Sequence, residues 1–107
     1  MMQKRLAEIF NILQSDLTHL LGEKLEVVYL YGSQARGDAH PDSDIDILIV
    51  LRDEFNYFEM IEKTSYITST ISLNFDVVIS CTFVSKDEYD NMRTPFLINV
   101  RREGILV

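Results

Sequence analysis

The feature that most constrains this chain is an unbroken apolar run, Ile47 to Leu51, preceded by two aspartates, Asp44 and Asp46. Consecutive apolar residues cannot alternate between core and solvent, so the run predicts a strand that is buried on both faces, at the centre of a sheet. The two carboxylates stand at the start of that strand, where burial is costly unless a positive group lies between them. This contrast indicates a functional site.

Helices and further strands surround this central strand. Apolar spacings of three and four predict an amphipathic helix over 3–21, and the residues Leu25–Tyr31 predict a strand. The pattern also predicts, in chain order, a short helix around Gln34–Arg36, a helix over 56–72, a third strand at Leu73–Ser80 that contains Asp76, a helix capped by Ser85, and a last helix over Pro95–Glu103. Helices interleaved with strands predict an α+β (α/β) fold, with a small mixed sheet of at least three strands. The length of 107 residues predicts one domain over 1–107.

Composition narrows the class of protein. The formal net charge is −7, with 17 acids against 10 bases, whereas proteins that hold long nucleic acid usually have a basic surface. We therefore expect no long nucleic acid as a partner, although Arg101 and Arg102 could form a small basic patch. No apolar run approaches the length of a membrane span, the N-terminus has no signal-peptide core, and the single Cys81 cannot form an internal disulfide. We expect a soluble cytoplasmic domain without a membrane partner.

The aspartates suit a metal ion. Asp44 and Asp46 are two residues apart in a strand, so their side chains project to the same face, where like charges raise each other's pKa unless a cation neutralises them. Carboxylate oxygens suit Mg²⁺, which is commonly held by one or two carboxylates together with substrate phosphates. Asp76 would join the pair if the third strand lies beside the second. Three carboxylates on adjoining strands could hold two metal ions about 3.5–4 Å apart, as in phosphoryl-transfer enzymes.

A Gly-Ser pair supplies a second kind of site. Gly32 and Ser33 follow the predicted first strand, where their backbone N–H groups could bind an anion and the serine hydroxyl could donate to it. Arg36, one helical turn later, could contact the same phosphates, or could instead form a salt bridge with Asp38 or Asp42. A phosphate-binding turn about a dozen residues before a metal site indicates a nucleoside-triphosphate site.

These residues resemble a known family. Gly32-Ser33, ten intervening residues and Asp44-Ile45-Asp46 match the G-S-x10-D-x-D pattern of the DNA polymerase β-like nucleotidyltransferase superfamily. The longer stretch "GSQARGDAHPDSDIDILIV" resembles the minimal nucleotidyltransferases, which are typically encoded beside a HEPN-domain partner, as in the MntA–HepT toxin–antitoxin systems. The resemblance implies nucleotide-binding roles for Gly32, Ser33 and Arg36, and catalytic and metal-binding roles for Asp44, Asp46 and Asp76.

The resemblance also implies an activity. It implies Mg²⁺-dependent transfer of AMP from ATP, with two ions in the active complex, to a tyrosine hydroxyl of a HEPN-domain toxin. This protein would then be the antitoxin and would form a hetero-oligomer with the toxin. Two alternatives remain open: a non-catalytic antitoxin that neutralises its partner by binding, and a nucleotidyltransferase with a small-molecule acceptor. A neighbouring HEPN gene would favour transfer of AMP to a toxin. A neighbouring antibiotic-resistance cassette would favour the small-molecule acceptor.

Overall fold

The computed structural model describes residues 4–37 and 44–107. This part of the chain forms a four-stranded mixed sheet with helices, which confirms the predicted α+β class. The strands are β1 (Leu25–Tyr31), β2 (Ile45–Leu51), β3 (Ile79–Ser85) and β4 (Ile105–Leu106), and the helices are α1 (Lys4–Leu21), α2 (Ser33–Arg36), α3 (Tyr57–Phe75), α4 (Lys86–Asn91) and α5 (Pro95–Glu103). Over the described residues, no helix combines the length and apolarity needed to cross a bilayer.

The strand order β3-β2-β1-β4 puts β2 in the interior of the sheet. It pairs in parallel with β3 on one side and antiparallel with β1 on the other, and β4 pairs antiparallel with β1 at the edge. Ile47, Leu48 and Ile49 are completely inaccessible to solvent. The apolar run is therefore the central strand that its pattern predicts, since both of its faces are covered.

The two faces of the sheet carry two separate cores. The odd-numbered residues of β2 pack with α1 and α3 in the larger core. Leu48 and Val50 face the other way and pack with Leu97 and Val100 of α5 in a smaller core. Side chains alternate along a strand, so Asp46 projects to the α5 side of the sheet, opposite α1 and α3.

Helix starts follow the capping residues in the sequence. The Asn56 side chain accepts a hydrogen bond from the Glu59 N–H at 3.0 Å, and α3 begins there. Ser85 and Glu88 form the predicted capping box, with bonds of 3.1 and 3.0 Å, and α4 follows. Pro95 occupies the first turn of α5, whose bounds agree with the prediction.

The predicted third strand at Leu73–Ser80 is wrong in position. Residues 73–75 form the last turn of α3, and β3 begins only at Ile79. Ile71 is buried and Phe75, four residues on, packs against the same core, so both continue the inward face of the helix. This packing outweighs the local preference of the apolar and β-branched residues for a strand.

Asp76 is consequently not a strand residue. It ends α3 in the left-handed conformation, with φ 53° and ψ 52°, and its N–H donates to the Ser72 carbonyl. Aspartate tolerates this conformation better than most residues, because its short polar side chain can hydrogen-bond locally. The side chain is exposed rather than held in the sheet.

Candidate active site

A glycine turn joins β1 to α2. Gly32 has φ 78° and ψ −158°, a conformation in which a side chain would be strained. Its carbonyl accepts hydrogen bonds from the N–H groups of Ala35 and Arg36, each at 3.1 Å. Gly37 ends the short helix in the left-handed conformation, and its N–H donates to the Ser33 carbonyl at 3.0 Å. The predicted short helix is confirmed, and it begins at Ser33, directly after Gly32.

Asp46 lies against this turn. It is the register partner of Tyr31, the last residue of β1, so its side chain is beside Gly32. A Cβ added to Gly32 would lie 3.3 Å from the Asp46 Cγ and closer still to Oδ2, inside any normal van der Waals contact. Glycine at position 32 therefore allows the turn and the carboxylate to touch. The turn predicted to bind phosphate and an aspartate predicted to bind metal lie side by side.

The surroundings of Asp46 disfavour its charged form, so a bound cation would stabilise the ionised carboxylate. Burial raises the pKa of Asp46, the neighbouring Asp44 raises that pKa further, and Arg36 opposes both effects. Asp44 is exposed and immediately precedes β2. A half-buried carboxylate beside a second acid is a donor set that fits Mg²⁺, which accepts two carboxylates and completes its shell with phosphate and water.

The structure does not bring Asp76 to this pair. Within residues 4–37 and 44–107, no group of three or more His, Cys, Asp or Glu side chains is placed to hold a metal ion, so the predicted cluster of three carboxylates is not formed. Asp76 lies two residues before Val78, whose carbonyl accepts a hydrogen bond from the Ile45 N–H at 2.8 Å. Asp76 is therefore two residues along the chain from a carbonyl that binds Ile45, and Ile45 directly follows Asp44. Its catalytic and metal-binding roles stay predictions.

Arg36 makes an ion pair that the sequence did not indicate. Its Nη1 lies 3.2 Å from Oε2 of Glu103, at the end of α5. The predicted alternative partners, Asp38 and Asp42, lie outside the described residues. Because Arg36 also lowers the pKa of Asp46, its charge acts on the site. Glu103 is 67 residues away along the chain, and no local pattern links the two.

Tyr31 also lies at the site, and the sequence patterns did not single it out as a site residue. Its hydroxyl lies 3.4 Å from Oγ1 of Thr82 in β3, and its ring meets the edge of Phe96 with centroids 5.2 Å apart. Burial raises the pKa of Tyr31, the hydrogen bond with Thr82 lowers it, and the charge of Asp46 raises it. The net direction is upward from 10.0, so the phenol is neutral at physiological pH. Tyr31 is brought to the site by its antiparallel pairing with Asp46, and a local sequence pattern does not contain that pairing.

The side chain of Arg101 packs against the end of α4. Its Nη2 donates to the carbonyls of Tyr89 and Met92, the second at 2.6 Å, and its guanidinium lies over the Tyr89 ring at 5.2 Å. These contacts join α5 to the end of α4. Arg102 is exposed, so the two arginines do not form a common basic patch of free side chains.

A cleft of about 350 Å³ lies at the opposite end of β2. Its lining includes Lys24 and three acids, Asp53, Glu54 and Glu59, and none of the predicted site residues. The glycine turn and the aspartate pair lie at the other end of β2, so this cleft is a poor candidate for the nucleotide.

Comparison with known proteins gives consistent similarities. The family described as "Polymerase beta, Nucleotidyltransferase" matches residues 8–94. "Putative protein adenylyltransferase MJ0141" of Methanocaldococcus jannaschii is 34% identical over 100 residues, which cover 94% of this chain and 96% of that protein.

Solved structures share the fold. The crystal structure of a toxin–antitoxin complex with AMP-PNP matches with a TM-score of 0.66 at 22% identity, over 90% of this chain and 69% of the other. The structure of a tri-AMPylated Shewanella oneidensis HEPN toxin in complex with an MNT antitoxin matches with a TM-score of 0.58 at 18% identity, over 99% and 71%. At these identities the likeness shows the fold alone.

Proposed function

Because this chain belongs to the polymerase β nucleotidyltransferase family, we propose that it transfers AMP from ATP to a hydroxyl group of a partner protein. The observation that carries the proposal is the contact between Gly32 and Asp46, which joins a backbone turn suited to phosphate with a carboxylate suited to Mg²⁺. A nucleoside triphosphate with its metal ion requires these two kinds of group side by side.

Each residue has a proposed part in binding. Asp44 and Asp46 would hold Mg²⁺, which when bound neutralises charge on the triphosphate. Ser33 would donate from its hydroxyl and Arg36 from its guanidinium to the β- and γ-phosphates, while Gly32 allows the close approach of backbone to phosphate. These contacts would hold the α-phosphorus in line with the incoming hydroxyl oxygen.

The proposed reaction is a displacement at the α-phosphorus. The acceptor oxygen forms a bond to that phosphorus, the bond to the bridging oxygen breaks, and pyrophosphate leaves with the electron pair. The acceptor hydroxyl loses its proton, and Asp76 is the proposed base. Asp76 is exposed at the end of α3, which leaves it accessible to a group presented by another molecule.

We propose a tyrosine of a HEPN-domain toxin as the acceptor, with this protein as its antitoxin. The proposal is supported by the adenylyltransferase named among the relatives and by the likeness to an antitoxin bound to an AMPylated HEPN toxin. A net charge of −7 favours a basic protein, such as one that itself binds RNA, because complementary fields speed the encounter.

Labelled nucleotide and intact mass together test the proposal. The protein is incubated with a HEPN-domain toxin, Mg²⁺ and each α-labelled nucleoside triphosphate in turn, and the mass of the toxin is then measured by mass spectrometry. We expect label from ATP and a mass gain of one or more adenylyl groups, with a parallel fall in the partner's RNase activity. The matched control is the Asp44→Asn, Asp46→Asn double variant, which should transfer nothing.

The other outcomes identify the alternatives. A partner that is silenced without a change of mass is neutralised by contact, and the enzymatic proposal is then wrong. Label found on a small hydroxylated compound but never on the partner identifies a small-molecule acceptor.

A further inference from the structure

The side chain of Tyr31 crosses the sheet beside Asp46. Tyr31 ends β1 opposite Asp46, and its hydroxyl lies 3.4 Å from Oγ1 of Thr82 in β3, two strands away. Thr82 is the register partner of Leu48 in β2, two residues beyond Asp46. The tyrosine therefore begins at the level of Asp46, crosses β2 and ends at the level of Leu48. Asp46 and Leu48 are consecutive side chains on this face of β2, so the tyrosine passes between them.

Contacts on three sides hold Tyr31 in this place. Its ring packs against the smaller core that contains Leu48, and it meets the edge of Phe96 in α5 with centroids 5.2 Å apart. Thr82 binds the hydroxyl at the far end of the ring, at the long end of hydrogen-bond distances. The ring therefore separates the carboxylate of Asp46 from the apolar core and closes that side of the site.

The glycine turn closes a second side of Asp46. A Cβ added to Gly32 would lie 3.3 Å from the Asp46 Cγ and closer to Oδ2, so the carboxylate already rests against the backbone of the turn. Gly32 directly follows Tyr31, so consecutive residues at the end of β1 form both walls. A carboxylate between two walls has lost rotamer freedom on folding and does not have to lose it when a ligand binds.

We propose that Tyr31 is a positioning residue for the metal-binding carboxylate: held by Thr82, it keeps Asp46 from rotating away from the glycine turn and thereby raises the affinity of the site for a divalent cation. Tyr31 acts through Asp46 and does not itself bind the ion, as residues that orient metal ligands do in other proteins. The inference rests on the proposed function, because it takes Asp46 as a ligand of the ion.

A tyrosine that serves only packing is available for comparison on the same strand. Tyr29 lies two residues before Tyr31, on the same face, and its register partner is Leu48. Its ring stacks on Tyr89 with centroids 5.2 Å apart. Loss of the Tyr29 hydroxyl alters an aromatic contact of the smaller core at the level of Leu48, whereas loss of the Tyr31 hydroxyl frees the ring beside Asp46.

Metal binding without nucleotide tests the proposal. Binding of Mn²⁺, a paramagnetic stand-in for Mg²⁺, to the full chain is measured by electron paramagnetic resonance. Tyr31→Phe and Thr82→Val each remove one hydroxyl of the bond, and should weaken binding about three- to tenfold, the range for one net hydrogen bond. The double variant should bind no more weakly than either single variant, because both remove the same bond. Thr82→Ser keeps the hydroxyl, and Tyr29→Phe is the matched control; both should bind Mn²⁺ as the wild type does.

Transfer supplies a second measurement. In Tyr31→Phe, the Mg²⁺ concentration for half-maximal transfer should rise by the same factor as the Mn²⁺ dissociation constant, while the rate at saturating Mg²⁺ stays close to that of the wild type. A rate that saturating Mg²⁺ does not restore contradicts the proposal. Circular dichroism of each variant confirms the fold.

The outcomes separate this inference from the proposed function. Wild-type Mn²⁺ affinity in Tyr31→Phe, or additive losses in the double variant, overturns the positioning role and leaves the proposed transfer untouched. An equal loss in Tyr29→Phe shows a general loosening of the sheet and also overturns it. A wild type that binds no Mn²⁺ overturns the metal role of Asp46, and with it both this inference and the metal part of the proposed function.

Discussion

Gly32, directly after β1, and Asp46, near the start of β2, touch, and no side chain larger than hydrogen fits between them. A Cβ at position 32 would lie 3.3 Å from the Asp46 Cγ and nearer to its Oδ2. Gly32 also has a positive φ of 78° with ψ −158°, which strains any other residue. The position of the carboxylate therefore depends on the identity of residue 32, and this dependence can be measured.

Gly32→Ala should reduce nucleotidyl transfer at least about a hundredfold, because the methyl group displaces Asp46 from the place where it would hold the metal. It should also lower the free energy of unfolding by about 1–3 kcal/mol through backbone strain. Gly22→Ala is the matched control: Gly22 also has a positive φ, of 54°, but nothing lies within 4 Å of its added Cβ. That variant should lose stability and retain activity. Equal activity loss in both variants would show that strain, and not the contact, matters.

The sequence predicted the elements around this contact because their signals are local. The strand β1, the glycine turn and the buried strand β2 each follow from residues that are neighbours in the chain. The contact itself follows from the antiparallel pairing of Tyr31 with Asp46. A pattern can predict two strands, but their register comes from packing across the sheet.

The aspartate pair gives a prediction about stability. Asp44→Asn with Asp46→Asn should abolish transfer and leave the fold intact. In metal-free buffer at neutral pH the variant should be at least as stable as the wild type, because two repelling charges are removed. Added Mg²⁺ should raise the melting temperature of the wild type alone, since only its carboxylates bind the ion. Normal transfer by the double variant would exclude the metal role.

The gain in stability should depend on pH with a definite sign. Burial and Asp44 raise the pKa of Asp46 above its ordinary value of 3.8, so the folded state favours the protonated form. The stabilisation from that proton is complete below the ordinary value and is lost as pH rises through the raised pKa. Relative to the wild type, Asp46→Asn should therefore gain most at neutral pH, and its advantage should vanish towards pH 3.8. Urea unfolding at several pH values without metal measures this difference.

Asp76 requires the sharpest test, because the structure places it at a helix end and not in the predicted strand. If it accepts the acceptor's proton, Asp76→Asn should lower turnover at least about a hundredfold and change the KM for ATP much less. Asparagine also tolerates the left-handed conformation, so the fold should be preserved. Unchanged turnover would exclude the role. Asp53, beyond the other end of β2, and Glu62, on the outer face of α3, are not placed to substitute.

The misplaced third strand shows where local patterns fail. The segment "LNFDVVIS" has the composition of a strand, yet its first three residues complete α3 because Phe75 packs beneath the helix. The true β3, "ISCTFVS", carries few strongly apolar residues, and its parallel pairing with β2 defines it. The two-residue β4 exists only through its pairing with β1. Tertiary contacts decide all three features, and no window of sequence contains them.

Arg36 and Glu103 can be separated by substitution. If Arg36 contacts the triphosphate, Arg36→Gln should raise the KM for ATP about tenfold or more, as expected for the loss of a charge-assisted hydrogen bond. Glu103→Gln removes only the partially exposed ion pair, which is worth about 0.2–1 kcal/mol, and should leave the KM equal or lower. A KM that rises equally in both variants would mean that Glu103 orients Arg36. A KM unchanged in Arg36→Gln would exclude the phosphate contact.

Arg101 and Arg102 are adjacent in α5 and should behave differently. Arg101 donates to the carbonyls of Tyr89 and Met92 and covers the Tyr89 ring, so Arg101→Ala should lower the free energy of unfolding by about 2 kcal/mol. Arg101→Lys should recover little of this, because an ammonium group cannot reproduce the planar contacts of the guanidinium. Arg102 is exposed, and Arg102→Ala should change stability by less than about 0.5 kcal/mol. Urea unfolding of the three variants measures the difference, and equal losses at both positions would contradict the assignment of Arg101 as the residue that joins α4 to α5.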